Sequence, residues 1–239
     1  MASEVFHFKK FSISQQGAAH LVGTDGVLLG AWAGVRGCTR VLDIGTGTGI
    51  IALMIAQRAQ EAFVTGIDIH KPSVECATRN FGASPWADRL SAAEQSLQEL
   101  AVSSSGKFDL IVSNPPFFSE QTRSPDPERS LGRHTATLSQ GEMLESVARL
   151  LAPGGRFCVI LPVREGLLLR ELSVLKRLYC NVEVQVHTGN FKPAERMMME
   201  FSTNPYRFEK SNLLLKDNDG EMSGAFRQLT CDFYATKRT

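Results

Sequence analysis

The sequence predicts an α/β protein whose sheet is mostly parallel and gains an antiparallel edge at its C-terminal end. Apolar strands alternate with segments of helical period through the first three quarters of the chain. Because these strands are almost continuously apolar, they are typical of parallel strands that helices cover on both faces. After residue 178 the alternation stops, and strand-like segments follow one another across polar turns. These last segments predict the antiparallel edge.

The individual elements follow from the apolar period and from local start and stop signals. Predicted strands lie at 40–44, 62–68, 107–113, 156–161, 179–187, 195–202 and 207–216, after a short β element at 5–13. Predicted helices lie at 26–35, 49–59, 72–82, 139–151, 164–177 and 221–233. Ser139 and Glu142 form a capping box at the start of one helix, and the turn Pro153-Gly154-Gly155 is expected to end it.

Length and composition fit one globular domain. The chain has 239 residues, of which 43% are hydrophobic and 21% are charged, so it can bury a core without a disulfide or a metal. We expect a single domain over 1–239 with three parts. These are an N-terminal extension at 1–35, an α/β core at 36–178 and the C-terminal strands with a last helix at 179–239.

Composition also limits the expected cellular compartment and the expected classes of binding partner. Neither a run of about 18 apolar residues nor a signal peptide is visible, so no membrane partner is expected and the cytoplasm is the expected location. The five cysteines form no C-x-x-C pair, which favours buried free thiols over a zinc or redox site, and no metal is expected. The net charge is +1, so a nucleic-acid partner would need a local basic patch.

A glycine-rich turn follows the predicted strand at 40–44. Gly45, Gly47 and Gly49 alternate between that strand and a helix, which permits a tight turn and places free N–H groups of the helix N-terminus beside a ligand. The spacing differs from the dinucleotide pattern G-x-G-x-x-G, and Asp43 just before it would repel a pyrophosphate. Asp68 closes the next predicted strand, where a carboxylate can accept hydrogen bonds from a ribose. A cationic nucleoside fits both carboxylates, whereas a turn that binds nothing is the plainer alternative.

This stretch resembles the cofactor motif of the class I S-adenosylmethionine-dependent methyltransferases. The resemblance implies a Rossmann-like fold with a seven-stranded sheet. It also implies that Asp43 contacts the methionine end of S-adenosylmethionine, that the three glycines pass beneath the cofactor and that Asp68 holds its ribose. Asp109-Leu110-Ile111-Val112-Ser113 resembles the fourth strand of the family, and Pro153-Gly154-Gly155 resembles the turn before its fifth strand.

A second motif follows the strand at 107–113. The simplest interpretation is a rigid, proline-containing loop that ends the strand, formed by Asn114, Pro115, Pro116 and Phe117. Their position beyond the cofactor strands supports a chemical role. The side-chain oxygen of Asn114 and the carbonyl of Pro115 can bind the two N–H groups of a conjugated amine, and Phe117 can stack on a planar substrate. The tetrapeptide resembles the N-P-P-[FYW] signature of amino-group methyltransferases, which act on adenine N6, guanine N2, cytosine N4 or glutamine.

Resemblances in other segments narrow the range of expected substrates. The run 22–32 and the stretches 6–11, 84–89 and 133–135 are similar to those of the bacterial tRNA(Val) adenine-N6-methyltransferases, which modify the adenine beside the anticodon. In that family Thr24 and Asp25 would lie near the methionine end of the cofactor. Where many relatives have an Asp near the cofactor adenine, this sequence has Ser96, and Glu94 or Gln95 could serve instead. The implied partner is the anticodon loop of tRNA, whose bases leave their stack at low cost.

The basic residues of the sequence do not define an RNA-binding surface. The candidates are Lys9, Lys10, Arg123, Arg129, Arg133, Lys192, Arg196 and Arg207, each equally well explained as a solvated surface residue. His134 is a candidate general base, and Met197-Met198-Met199 is expected to fill the core. A monomer is expected. The alternatives are amino-group transfer to protein glutamine, ribosomal RNA guanine N2, DNA adenine or a small amine, and a non-catalytic RNA factor that binds the cofactor. The glycine spacing and Asp43 disfavour a nicotinamide oxidoreductase.

Overall fold

The structure is a computed structural model that describes residues 5–115 and 139–234. Its strands are β1 Val5–His7, β2 Ser12–Ser14, β3 Arg40–Ile44, β4 Phe63–Asp68, β5 Leu90–Glu94, β6 Phe108–Ser113, β7 Leu151–Pro162, β8 Tyr179–His187, β9 Ala194–Ser202 and β10 Glu209–Leu214. Its α-helices are α1 Thr24–Trp32, α2 Ile50–Arg58, α3 Lys71–Gly82, α4 Leu97–Ser103, α5 Gln140–Leu150, α6 Val163–Leu175 and α7 Gly224–Thr230.

Eight strands form one mostly parallel sheet in the order β10-β8-β9-β7-β6-β3-β4-β5. The predicted fold class is confirmed, but the described sheet has eight strands rather than the seven that the resemblance implied. Antiparallel pairing occurs where it was predicted, because β9 runs against both β7 and β8. The outermost strand departs from the prediction: β10 pairs parallel with β8. Because β9 lies between β7 and β8, the edge that β10 can join belongs to β8. The chain reverses its direction after β9, so β10 runs parallel to β8.

Some boundaries differ from the predictions for local reasons. The capping box of Ser139 and Glu142 is present at the start of α5, which ends at Leu150. The following strand already begins at Leu151, so Pro153-Gly154-Gly155 lies within β7, beside a register shift in its pairing with β6. The pair β5 and α4 had no counterpart among the predicted elements. Since β5 is an edge strand with Ser91, Ala92 and Ala93 at its centre, it carries little of the apolar pattern that indicates a strand.

The core lies in two layers, one on each side of the sheet. One cluster joins α1 and α2 to the sheet, and the other joins α5 and α6 to it. Successive residues of β9 alternate between the layers, as expected for a strand. Met198 belongs to the first cluster, while Met197 and Met199 belong to the second, and all three are fully buried. The prediction that these methionines fill the core is confirmed.

Asn80 ties the N-terminal hairpin of β1 and β2 to the rest of the fold. Its side chain accepts a hydrogen bond from the Ser14 amide at 2.9 Å and donates to the Ser14 carbonyl at 2.9 Å. It also donates to the carbonyl of Thr48, at 2.8 Å, within the glycine-rich turn. Because Asn80 is only 3% exposed, water cannot replace these partners.

We expect Asn80→Ala to lower the free energy of unfolding by about 2–4 kcal/mol, because it leaves buried backbone groups of Ser14 and Thr48 without partners. Urea denaturation of both proteins measures the difference. Asn190→Ala is the matched control, since Asn190 makes one side-chain hydrogen bond on the exposed surface, to Asn218. The control is expected to change the free energy by less than about 1 kcal/mol. Equal effects of the two substitutions would contradict the role given to Asn80.

Candidate functional site

The glycine-rich turn leaves open space at the carboxyl edge of the sheet. Gly45, Gly47 and Gly49 all have positive φ, at +69°, +56° and +82°, so each position favours glycine. At Gly45 no atom lies within 4 Å of the place that a Cβ would take, which leaves room for a ligand. At Gly49 a Cβ would come within 2.4 Å of Cε1 of Phe81. The first glycine therefore keeps a surface clear, and the last one allows α2 to pack against α3.

The amides of this turn bind within the protein. Gly45 and Thr46 donate to the carbonyl of Ile67 in β4 at 2.9 and 3.0 Å, and Gly47 donates to Oδ2 of Asp68 at 3.0 Å. These three amides precede α2, so the predicted free N–H groups of the helix N-terminus stay a prediction. The hydrogen bonds of the three amides fix the turn against the neighbouring strand.

Asp43 is fully buried directly beneath the turn. Its Oδ2 accepts a hydrogen bond of 2.8 Å from the Thr46 hydroxyl, and its Oδ1 has no hydrogen-bond partner. Burial raises the pKa of this carboxyl to about 7. The Thr46 hydrogen bond opposes that shift, and the charge of Asp68 adds to it. That oxygen is enclosed by protein, so the carboxylate acts on a cation at the turn through its charge rather than by direct contact.

Asp68 ends β4 and is held from both sides by backbone amides. Its Oδ1 accepts from the amide of His70 at 2.9 Å, while its Oδ2 accepts from Gly47. Each carboxylate oxygen can accept a further hydrogen bond, so the group remains able to bind two hydroxyls. Together with the buried charge of Asp43 and the open space at Gly45, this carboxylate fits a cationic nucleoside such as S-adenosylmethionine.

The pKa of Asp43 predicts that the binding affinity for such a ligand depends on pH. The carboxyl is half protonated near pH 7, and only the carboxylate attracts a cation, so the affinity for S-adenosylmethionine should increase with pH. Between pH 5.5 and 7 we expect the affinity to increase on the order of tenfold. Calorimetric titration of cofactor at each pH measures this. The Asp43→Asn protein should lose the dependence, and a wild-type affinity that stays constant over this range would contradict the explanation.

Asn114 and Pro115 follow β6 at the same edge. Ser113 stands opposite Ile44 in the pairing of β6 with β3, and its hydroxyl donates to the Ile44 carbonyl at 3.0 Å. Asn114 and Gly45 therefore follow directly after paired residues, at the carboxyl ends of neighbouring strands. Both Asn114 and Pro115 are half-buried. Pro116 and Phe117, the other members of the tetrapeptide, lie outside the described residues.

Asp25 has a partner that the sequence did not predict. Thr24 is exposed at the start of α1, and Asp25 in the first turn accepts a hydrogen bond of 2.8 Å from Nε of Arg196 at its Oδ2. The ion pair joins α1 to β9. One residue predicted to lie near the cofactor is thus in contact with one considered for RNA binding. The two are 171 positions apart, so no local pattern could have indicated the contact.

Ser96 caps the N-terminus of α4. Its hydroxyl accepts from the amide of Glu99 and donates to the carboxylate of the same residue, while that carboxylate also accepts from the Ser96 amide. The capping box gives Ser96 a structural role, and its contact with the cofactor adenine stays a prediction. Of the two alternatives, Glu94 is exposed at the end of β5 opposite Asp68, and Gln95 donates its amide to the Asp68 carbonyl at 3.1 Å.

The remaining candidates are distributed over the surface. Lys9 donates to the carbonyl of Cys231 at 2.5 Å, which ties the N-terminal hairpin to the C-terminal segment. Lys10, Lys192 and Arg207 are exposed. Arg123, Arg129, Arg133 and His134 lie outside the described residues.

The cysteines follow the prediction in part. Cys38, Cys76 and Cys158 are buried free thiols, and burial raises the pKa of each of them. Cys180 is half-buried and Cys231 is exposed, which departs from the expectation of buried thiols. Across 5–115 and 139–234, the structure brings together no three side chains that could ligate a metal ion. Among the helices of these ranges, none has the length and apolar character needed to cross a membrane.

Comparisons with known proteins identify methyltransferases as relatives of this chain. The family model "Methyltransferase small domain" matches residues 34–194. A "tRNA1(Val) (adenine(37)-N6)-methyltransferase" of Tolumonas auensis is 40% identical over 235 residues, which cover 98% of each chain. A protein of the same name from Parabacteroides distasonis is also 40% identical, over 98% of this chain and 99% of its own.

Solved structures show the fold at lower sequence identity. A predicted O-methyltransferase from Agrobacterium tumefaciens has a TM-score of 0.67 and 17% identity, covering 90% of this chain and 99% of its own. A ribosomal protein L11 methylase from Lactobacillus delbrueckii subsp. bulgaricus has a TM-score of 0.57 and 16% identity, covering 85% and 100%.

Proposed function

The chain belongs to the methyltransferase small domain family, and from this premise we propose that it methylates the N6 amino group of adenine in tRNA with S-adenosylmethionine as cofactor. The proposed target is adenine 37, beside the anticodon of tRNA(Val). The observation that carries the proposal is the pairing of Ser113 with Ile44, which supports a position of Asn114 and Pro115 at the same edge of the sheet as the glycine-rich turn. The names of relatives at 40% identity over nearly the whole chain support the choice of tRNA.

The residues of the turn hold the cofactor in this proposal. Asp43 attracts the cationic methionine end through its buried charge, the glycines leave room for the body of the molecule, and Asp68 accepts hydrogen bonds from the ribose. Thr24, Asp25 and Ser96 complete the proposed set at the methionine and adenine ends. The cofactor supplies an electrophilic methyl group on a sulfonium.

Asn114 and Pro115 orient the amine that accepts the methyl group. The lone pair of an exocyclic amine is delocalised into its ring, so the nitrogen is a weak nucleophile. Two fixed acceptors, the side-chain oxygen of Asn114 and the carbonyl of Pro115, hold its two N–H groups and direct the lone pair at the methyl donor. The amine becomes strongly acidic once methylated and loses a proton to solvent, so no strong base is required. Pro116 and Phe117 complete the proposed motif, in which an aromatic ring would stack on the base.

The wider setting of the proposal is a single-domain monomer that acts in the cytoplasm. It requires no metal ion, because the methyl donor is already activated and the acceptor needs only orientation. The anticodon loop suits the site because a loop base can be unstacked at lower cost than a paired base.

The direct test uses two transcripts of tRNA(Val) that differ only at position 37. Purified protein and methyl-labelled S-adenosylmethionine are incubated with the transcript that carries adenine 37 and with one that carries guanine 37. We expect label in the first alone. Equal label in both would place the methyl group elsewhere in the tRNA. If neither transcript is labelled while ribosomal subunits or a protein fraction are, the proposed substrate is wrong and one of the other amines takes its place.

A further inference from the structure

The carboxyl edge of the sheet has two electrostatically different halves, with Asn114 between them. Asp43, Asp68 and Glu94 lie at the ends of the neighbouring strands β3, β4 and β5. This acidic half suits a sulfonium cofactor and disfavours the approach of a polyanion. On the other side of β6 lie β7 and then β9, and β9 presents Arg196 at this edge, opposite Pro162 at the end of β7.

The sheet register places Arg196 close to the amine-binding motif. Ser113 pairs with Val159 of β7, and Arg196 pairs with Pro162, three residues further toward the edge. At strand dimensions this is a rise of roughly 10 Å, and two strand spacings separate β6 from β9 by about the same distance. Arg196 therefore borders the space above Asn114 and Pro115, on the side away from the cofactor carboxylates.

Asp25 fixes the side chain of Arg196 in this position. The 2.8 Å hydrogen bond from Nε to Oδ2 of Asp25 is charge-assisted, and the side chains of the pair are only 31% and 21% exposed. Nη1 also donates to the carbonyl of Glu195 at 3.1 Å. Arg196 lies on the same face of β9 as Met198, in the layer that contains α1, so the pair is supported from below by core packing.

From this arrangement we infer that Arg196, oriented by Asp25, binds a backbone phosphate of the RNA beside the target base. The inference rests on the proposed function and adds the contact that holds the substrate. A planar guanidinium presents several donors to a phosphate in one plane, and the ion pair keeps that plane from rotating. Asp25 then acts on the substrate through Arg196 and is a positioning residue.

The test measures methylation of tRNA at several salt concentrations, for the wild type and the Arg196→Ala protein. We expect Arg196→Ala to raise KM for tRNA on the order of tenfold and to change kcat by less than about threefold, because the contact positions substrate without touching the reacting atoms. The slope of log KM against log salt should fall by about 0.7–0.9, the value for the loss of one phosphate contact. The affinity for S-adenosylmethionine, measured separately by calorimetry, should stay within about twofold of wild type.

Two further variants separate phosphate binding from a merely structural clamp. Arg196→Lys keeps the charge. Its salt slope should be close to that of wild type, while its KM for tRNA should lie between the values of wild type and Arg196→Ala. Arg36→Ala is the matched control, since Arg36 is an exposed arginine at the opposite edge of the sheet, before β3, and should change neither quantity. An unchanged salt slope in Arg196→Ala would overturn the inference, and so would a loss of cofactor affinity equal to that in Asp25→Ala. If wild-type protein transfers no methyl group to tRNA, the proposed function itself fails, which the wild-type measurement shows independently of the variants.

Discussion

We expect Asn114→Ala to lower the turnover number for tRNA methylation by about 100-fold or more while the affinity for S-adenosylmethionine stays nearly unchanged. Asn114 follows Ser113 and lies at the mouth of the site, whereas the proposed cofactor groups belong to the ends of β3 and β4. Its side-chain oxygen is proposed to bind an N–H group that is present in the substrate and gains positive charge in the transition state. Loss of this acceptor therefore affects the chemical step more than either binding step.

Single-turnover kinetics with saturating tRNA measure this effect, and calorimetry measures cofactor binding. Asn114→Asp serves as a second variant, because a carboxylate keeps an acceptor at the same reach and should retain more activity than alanine. A turnover number equal to that of wild type in Asn114→Ala would contradict the mechanism. A parallel loss of cofactor affinity would instead place Asn114 among the cofactor ligands.

Asp43→Asn is expected to weaken S-adenosylmethionine binding by about 10- to 100-fold at pH 8, where the wild-type carboxyl is charged. The substitution keeps the size of the side chain and a hydrogen-bond acceptor for Thr46, but it removes the charge that attracts a cation. Isothermal titration at pH 8 measures the affinity. An affinity within twofold of wild type would show that the cofactor does not rely on this carboxylate.

The same substitution should stabilise the cofactor-free protein at pH 8. The carboxyl of Asp43 has a pKa of about 7 in the folded chain, against an ordinary value of 3.8, so the folded state holds the proton more tightly than the unfolded state does. The folded protein therefore loses stability as the pH rises from about 4 to 7, and at pH 8 the full cost of a buried charge is present. We expect Asn at this position to remove on the order of 2 kcal/mol of that cost. Urea denaturation at pH 8 and pH 5 checks the sign, because the gain should shrink at the lower pH.

The core of the fold and of the site is encoded in local patterns, which explains why the sequence predicts them. The strand at 40–44 has the bounds of β3, and the capping box predicted at Ser139 forms at the start of α5. Gly45, Gly47 and Gly49 can be recognised because positive φ has few other solutions in a short turn. Asn114 could be placed beside the turn because parallel strands bring their carboxyl ends to one edge.

Features that depend on contacts distant in sequence could not be predicted in the same way. The contact between Asp25 and Arg196 follows from the insertion of β9 beside β7, and the parallel pairing of β10 follows from the same insertion. Ser96 shows the opposite case. Its capping box with Glu99 is a local S-x-x-E pattern that the sequence itself indicates, whereas its contact with the cofactor rests only on similarity to relatives.

The most direct test of the central claim is the chemical identity of the methylated nucleoside. Unmodified total tRNA is treated with wild-type or Asn114→Ala protein and labelled S-adenosylmethionine, digested to nucleosides and analysed by mass spectrometry. We expect labelled N6-methyladenosine with wild type and at least about 100-fold less with the variant. A label found on another nucleoside, or an equal yield of N6-methyladenosine from both proteins, would contradict the proposed reaction.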